Sequence, residues 1–97
     1  MRRAIVERSL RDVHARLRRA REELTVLEEQ LVVLNDAADD ARIRSLVSET
    51  PQAGHDYSDA QRTADAANRV RASLLATIGE LERRQDELLG QLVAGSR

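Results

Sequence analysis

Apolar residues recur in alternating steps of four and three along the first half of the chain: Val6, Leu10, Val13, Leu17, Ala20, Leu24, Leu27, Leu31, Leu34, Ala38 and Ala41. An α-helix with this rhythm carries one apolar seam along its whole length, which suits a helix packed lengthwise on another helix. After a break the rhythm resumes through Ala60, Ala64, Ala67, Arg71, Leu74, Ile78, Leu81, Gln85, Leu88 and Leu92. The pattern predicts an all-α fold: an antiparallel two-helix coiled-coil hairpin. Arg71 and Gln85 interrupt the second seam, and polar residues at such positions fix register at a cost in stability.

The break lies in Thr50-Pro51-Gln52-Ala53-Gly54-His55-Asp56. Pro51 moves the residue before it out of the helical region, and Gly54 tolerates a positive φ. Asp56 or Ser58 is placed to accept hydrogen bonds from the first free N–H groups of a following helix. The expected organisation is a single unit over residues 1–97, with helix 1 near 4–49, a turn at 50–56 and helix 2 near 57–93. Ile43, Leu46 and Val47 are out of phase with the seam and read as a local shift of the stripe near a helix end.

A turn centred near Ala53 sets Leu17 against Leu88, Leu24 against Leu81, Ala38 against Ala67 and Ala41 against Ala64. Large residues then meet large ones and alanines meet alanines. Helix 1 overhangs the pair at Val6 by about two turns. Val26, Val32 and Val33 fall outside the seam of helix 1, and Leu75 and Leu89 flank the seam of helix 2. A stripe wider than a strict seam implies a second contact. Two hairpins dimerising into a four-helix bundle are the expected source of it.

Composition narrows the function. Tyr57 is the only aromatic residue, which argues against a compact globular core, and charged residues make up 34% of the chain. All sixteen cations are arginine, as in a GC-rich coding sequence of the actinobacterial kind. Cysteine is absent, so disulfides and thiolate metal sites are ruled out. No apolar run approaches the ~20 residues that span a bilayer, and the start lacks a signal peptide's apolar stretch. The expectation is a cytoplasmic protein with no membrane contact.

No residue set resembles an active site. His14 and His55 lie far apart, and His55 with Asp56 and Asp59 falls short of the three or four convergent ligands a metal needs. No glycine-rich phosphate loop is present. The reading is a non-enzyme with no cofactor, no metal and no small-molecule substrate.

Charge is segregated. Residues 1–21 hold eight Arg against Glu7 and Asp12, a net of +6; residues 22–60 hold ten acids against Arg42 and Arg44, a net of −8. Such polarity suits electrostatic steering onto a charged partner. The arginine-rich start, with Arg11, Arg16, Arg18 and Arg19 as contacts, raises nucleic acid as an alternative partner through phosphates, although no aromatic accompanies it for base stacking.

Asp36-Ala37-Ala38-Asp39-Asp40-Ala41 matches the pattern Asp-x-x-Asp-x-Ala. It resembles the coiled-coil tip of DksA-type regulators, which enter the secondary channel of bacterial RNA polymerase; acidic hairpin tips are also the working ends of Gre-type transcript cleavage factors. The likeness covers six residues, and the cysteine zinc site of the DksA type is missing. It implies an alternative role as a polymerase-binding regulator. The principal expectation is a small coiled-coil adaptor or regulator, homodimeric, that binds another protein. Its candidate contacts are the apolar set Val26, Val32, Val33, Leu75 and Leu89 and the acidic set Asp36, Asp39, Asp40, Asp56 and Asp59.

Overall fold

The structure, a computed structural model, describes residues 2–95. It consists of two long helices, α1 (Arg2–Ser48) and α2 (Pro51–Gly95), with no strand among the described residues. The chain therefore reverses within two residues, Glu49 and Thr50, rather than across 50–56.

Local chemistry explains so short a reversal. Glu49 adopts the left-handed conformation at φ 51°, and its N–H donates to the Ser45 carbonyl at 3.2 Å. This is the αL helix stop, in which the first residue beyond the helix turns its N–H back onto the last turn. Thr50 then caps α2: its Oγ1 accepts from the Ala53 N–H at 3.2 Å, and its carbonyl accepts the first helical bond, from Gly54 N–H, at 3.2 Å. Pro51 occupies the first helical position, where a missing N–H costs nothing and a fixed φ is already helical. Two sequence expectations are corrected here. The positive φ falls on Glu49 and not on Gly54, and the cap is Thr50 and not Asp56 or Ser58, both of which lie inside α2.

The seam of α2 accordingly starts earlier than the apolar pattern suggested. Ala53 and Tyr57 are half-buried and extend the same four-three rhythm backwards from Ala60. With the seam residues as heptad positions a and d, Val26, Val33 and Val47 are c residues, Val32 and Leu46 are b residues, and Leu75 and Leu89 are e residues.

The chain divides into two units. Unit 1 comprises residues 1–24 and 74–97, and unit 2 comprises Thr25–Ser73. The core of unit 1 is built from Val6, Val13, Leu17 and Ala20 of α1 with Ile78, Leu81 and Leu88 of α2. Leu10, Leu24, Leu74 and Leu92 pack around it, half-buried. Leu17 and Leu88 are buried to 1% and 2% exposure. In unit 2 the buried residues are Leu31, Ala38, Ala41 and Ala64, two short antiparallel stretches joined by the Glu49–Thr50 reversal.

Moving the reversal from Ala53 to Glu49–Thr50 shifts the register by one heptad. Val6 now lies level with Leu92, and both line one cleft at the ends of unit 1. Val6 is 6% exposed, so α1 does not overhang. The cross-helix ion pair of unit 2 agrees with the shift, Arg71 Nη2 reaching Glu28 Oε2 at 3.8 Å; in unit 1 Arg21 Nη2 reaches Glu82 Oε2 at 3.3 Å. In this register Tyr57 is level with Ala41, Leu31 with Ala67 and Ile78 with Ala20. Some large residues thus face alanines, while Val6, Leu10, Leu17 and Leu24 of unit 1 are level with leucines of α2 and pack in one cluster with them.

Candidate functional site: the outward face of α1 in unit 2

The seam consumes the a and d positions of α1, so whatever stands at b, c and f points away from α2. In unit 2 six large aliphatics stand there. Val26, Val32, Val33, Ile43, Leu46 and Val47 are all exposed, with Val33 at 67% and Val47 at 79%. Scattered surface aliphatics need no explanation, but these share one side of one helix from Val26 to Val47, roughly 32 Å at ~1.5 Å per residue. Two groups are evident, one at Val26, Val32 and Val33 and one at Ile43, Leu46 and Val47.

Asp36, Asp39 and Asp40 lie between the groups, at f, b and c of the same helix. All three are exposed, and among the described residues none forms an ion pair. Most carboxylates flanking the seam are held: Glu28 by Arg71, Glu82 by Arg21, Glu7 by Arg3 at 3.0 Å. The structure thus brings together Val26, Val32, Val33, Asp36, Asp39 and Asp40 of the expected contacts. It adds Ile43, Leu46 and Val47, which the pattern had suggested were a drifting seam. The spacing held the signal: Val26, Val33 and Val47 repeat in sevens with Asp40 filling the gap, and Val32 and Leu46 are two heptads apart.

The other expected contacts fall elsewhere. Leu75 and Leu89 belong to unit 1, where they flank Glu82 along the e positions of α2 and are 40% and 45% exposed. Asp56 accepts a hydrogen bond from Gln52 Nε2 at 2.9 Å, and Asp59 Oδ1 lies 3.5 Å from Arg62 Nη1. Both are therefore engaged on α2 by neighbours one turn away. Ala41, the last residue of the Asp-x-x-Asp-x-Ala pattern, is 3% exposed in the seam and cannot meet a partner. Asp36 and Asp39 stand on the shaft of α1, roughly 18 Å and 13 Å before its end at Ser48.

In unit 1 the arginines of α1 are exposed. Arg18 pairs with Glu22 at 3.3 Å, and Arg11, Arg18 and Arg19 share the outward side while Arg16 lies on a seam flank. A cleft of about 500 Å³ opens where the helix ends meet, lined by Arg2, Arg3, Val6, Gln91, Leu92, Ala94 and Gly95. Among the described residues no three His, Asp or Glu side chains converge as metal ligands do. No described helix is long and apolar enough to cross a membrane. Compared with known proteins, the chain matches no family model, no curated relative and no solved structure.

Proposed function

We propose that this protein is a non-catalytic coiled-coil hairpin whose work is to bind another protein, as an adaptor or regulator. The reading rests on the outward face of α1 in unit 2, where six aliphatics share a side that α2 does not cover. A surface of this kind is used to dock a partner helix, read by its i, i+3, i+4 and i+7 residues. The three unpaired aspartates give it polarity and discriminate among partners. Residues such as Val33 and Leu46 are placed to supply most of the affinity, because desolvated aliphatics at the middle of a contact carry more than its charged rim.

Capture experiments test this reading. Wild-type protein and the double variant Val33→Asp/Leu46→Asp would be used as baits, with Arg19→Glu as a surface control. Both substituted positions are exposed, so helicity is expected to stay unchanged. A partner retained by wild type and Arg19→Glu but lost from the double variant is the expected result. Equal recovery on all three baits would contradict the proposal.

Self-association into a four-helix bundle is the second reading, favoured by Leu75 and Leu89 on the flank of α2 in unit 1. Apolar e positions widen a seam in the way bundle helices do. Solution mass by light scattering across a dilution series would report twice the chain mass for wild type and the chain mass for Leu75→Asp/Leu89→Asp. An undiminished mass in that variant would remove Leu75 and Leu89 from the contact.

A role at RNA polymerase or on nucleic acid draws on the acidic stretch or the arginines of α1. For the first, Asp36→Asn/Asp39→Asn would abolish an effect on transcription in vitro. For the second, affinity would fall steeply with salt and with Arg16, Arg18 and Arg19 replaced. Neither role uses the aliphatics that flank the aspartates, which is why the protein-docking reading is preferred.

A further inference from the structure

Resting on the reading that the outward face of α1 in unit 2 is a docking surface, we infer that its occupant is an amphipathic helix of a different protein that is apolar toward both ends and basic in the middle.

The order of residues along the face carries the argument. Aliphatics at Val26 and Val33 come first, then Asp36, Asp39 and Asp40, then Ile43, Leu46 and Val47. An isologous pairing of two copies through this face must place a two-fold axis at its centre if both aliphatic groups are to be buried. That centre lies between Asp36 and Asp39. Six carboxylates would then meet with no cation between them, and like charges brought together in a contact disfavour it strongly.

A head-to-tail contact of two copies fails for a different reason. The basic outward side of α1 in unit 1 has the complementary charge in Arg11, Arg18 and Arg19, but among the described residues Ile5 is its only large exposed aliphatic. It would leave most of the unit 2 aliphatics uncovered. A polyanion such as nucleic acid meets the wrong charge in the middle and apolar side chains on either side. What remains complementary in both respects is a helix with aliphatics spaced to meet Val26 to Val33 and Ile43 to Val47, and with Arg or Lys opposite Asp36, Asp39 and Asp40. Guanidinium suits the task, since it pairs carboxylates in a bidentate manner and is weakly hydrated.

Two synthetic helical peptides provide the test. Each would be about six turns long, with leucines in the outer turns; one carries three arginines in its middle turns and the other three glutamates. Binding to the full chain would be read by fluorescence anisotropy at low and moderate salt. The arginine peptide is expected to bind at least about tenfold more tightly than the glutamate peptide. Asp36→Asn/Asp39→Asn/Asp40→Asn would erase most of that difference, and Val33→Asp/Leu46→Asp would abolish binding of both. Equal binding of the two peptides would overturn the charge inference and leave the docking surface standing. Failure of both peptides to bind, with no effect of Val33→Asp, would overturn the docking surface as well. A homodimer whose mass halves in Val33→Asp/Leu46→Asp would show that a second copy covers the face. Partition of wild type, but not of that variant, onto zwitterionic vesicles would assign the aliphatics to a lipid surface. Either result would overturn the proposal.

Discussion

Glu49 and Thr50 do at residue scale what a longer turn was expected to do. A non-glycine residue at φ 51° is held there against an intrinsic preference for the right-handed region. Glu49→Gly removes the Cβ that makes the conformation costly, and thermal or urea unfolding should show a gain of about 0.5 to 1 kcal/mol. Thr50→Ala deletes the acceptor for the Ala53 N–H and should cost about 1 kcal/mol in the same assay. Gly90 sits inside α2 with open space where a Cβ would be. Nothing among the described residues requires glycine there, so Gly90→Ala should stabilise by about 1 kcal/mol through helix propensity and a less disordered unfolded state. A loss of stability in Gly90→Ala would contradict this placement of the residue.

At the scale of the element, the apolar rhythm was legible because helix packing leaves a direct trace in sequence. Each seam residue of α1 from Val6 to Ala41 is buried or half-buried, and so is each seam residue of α2, including the polar Arg71 and Gln85. The reversal was less legible. Pro51 and Gly54 read as helix breakers, yet a proline after a capping threonine is also how a helix begins. Choosing the first meaning lengthened the turn, removed Ala53 and Tyr57 from the seam and displaced the register by one heptad. The like-with-like size matching that supported the displaced register was a coincidence of a repetitive sequence, in which a shift of seven restores an equally apolar alignment. Arg71 is one of the residues that breaks that degeneracy, because it reaches Glu28 on the facing helix. A half-exposed pair of this kind contributes little to stability. Arg71→Leu should therefore raise the unfolding midpoint, by the equivalent of about 1 kcal/mol, while relaxing register. A broadened distance distribution between spin labels on exposed positions of α1 and α2 in unit 2 would report the loosening; a lower midpoint would show that the ion pair matters more than its exposure implies.

For the molecule as a whole, function was less legible than fold. Val26, Val32 and Val33 stood out as surplus aliphatics, but their continuation through Ile43, Leu46 and Val47 was hidden by the supposition that the seam was drifting toward a helix end. Leu75 and Leu89 were legible as flanking the seam of α2, and they fall in unit 1. The aspartates drew notice through a short motif, yet their exposure between two aliphatic groups is what gives them meaning here. The outward face of α1 in unit 2 is proposed to be covered by a different protein. The most direct test replaces Val33 by a photo-reactive benzoylphenylalanine and irradiates living cells, with Arg19 replaced in the same way as a control. A discrete adduct with a heterologous protein is expected at position 33, and none of that mass at position 19. No adduct at 33, or one only at twice the mass of this chain, would contradict it.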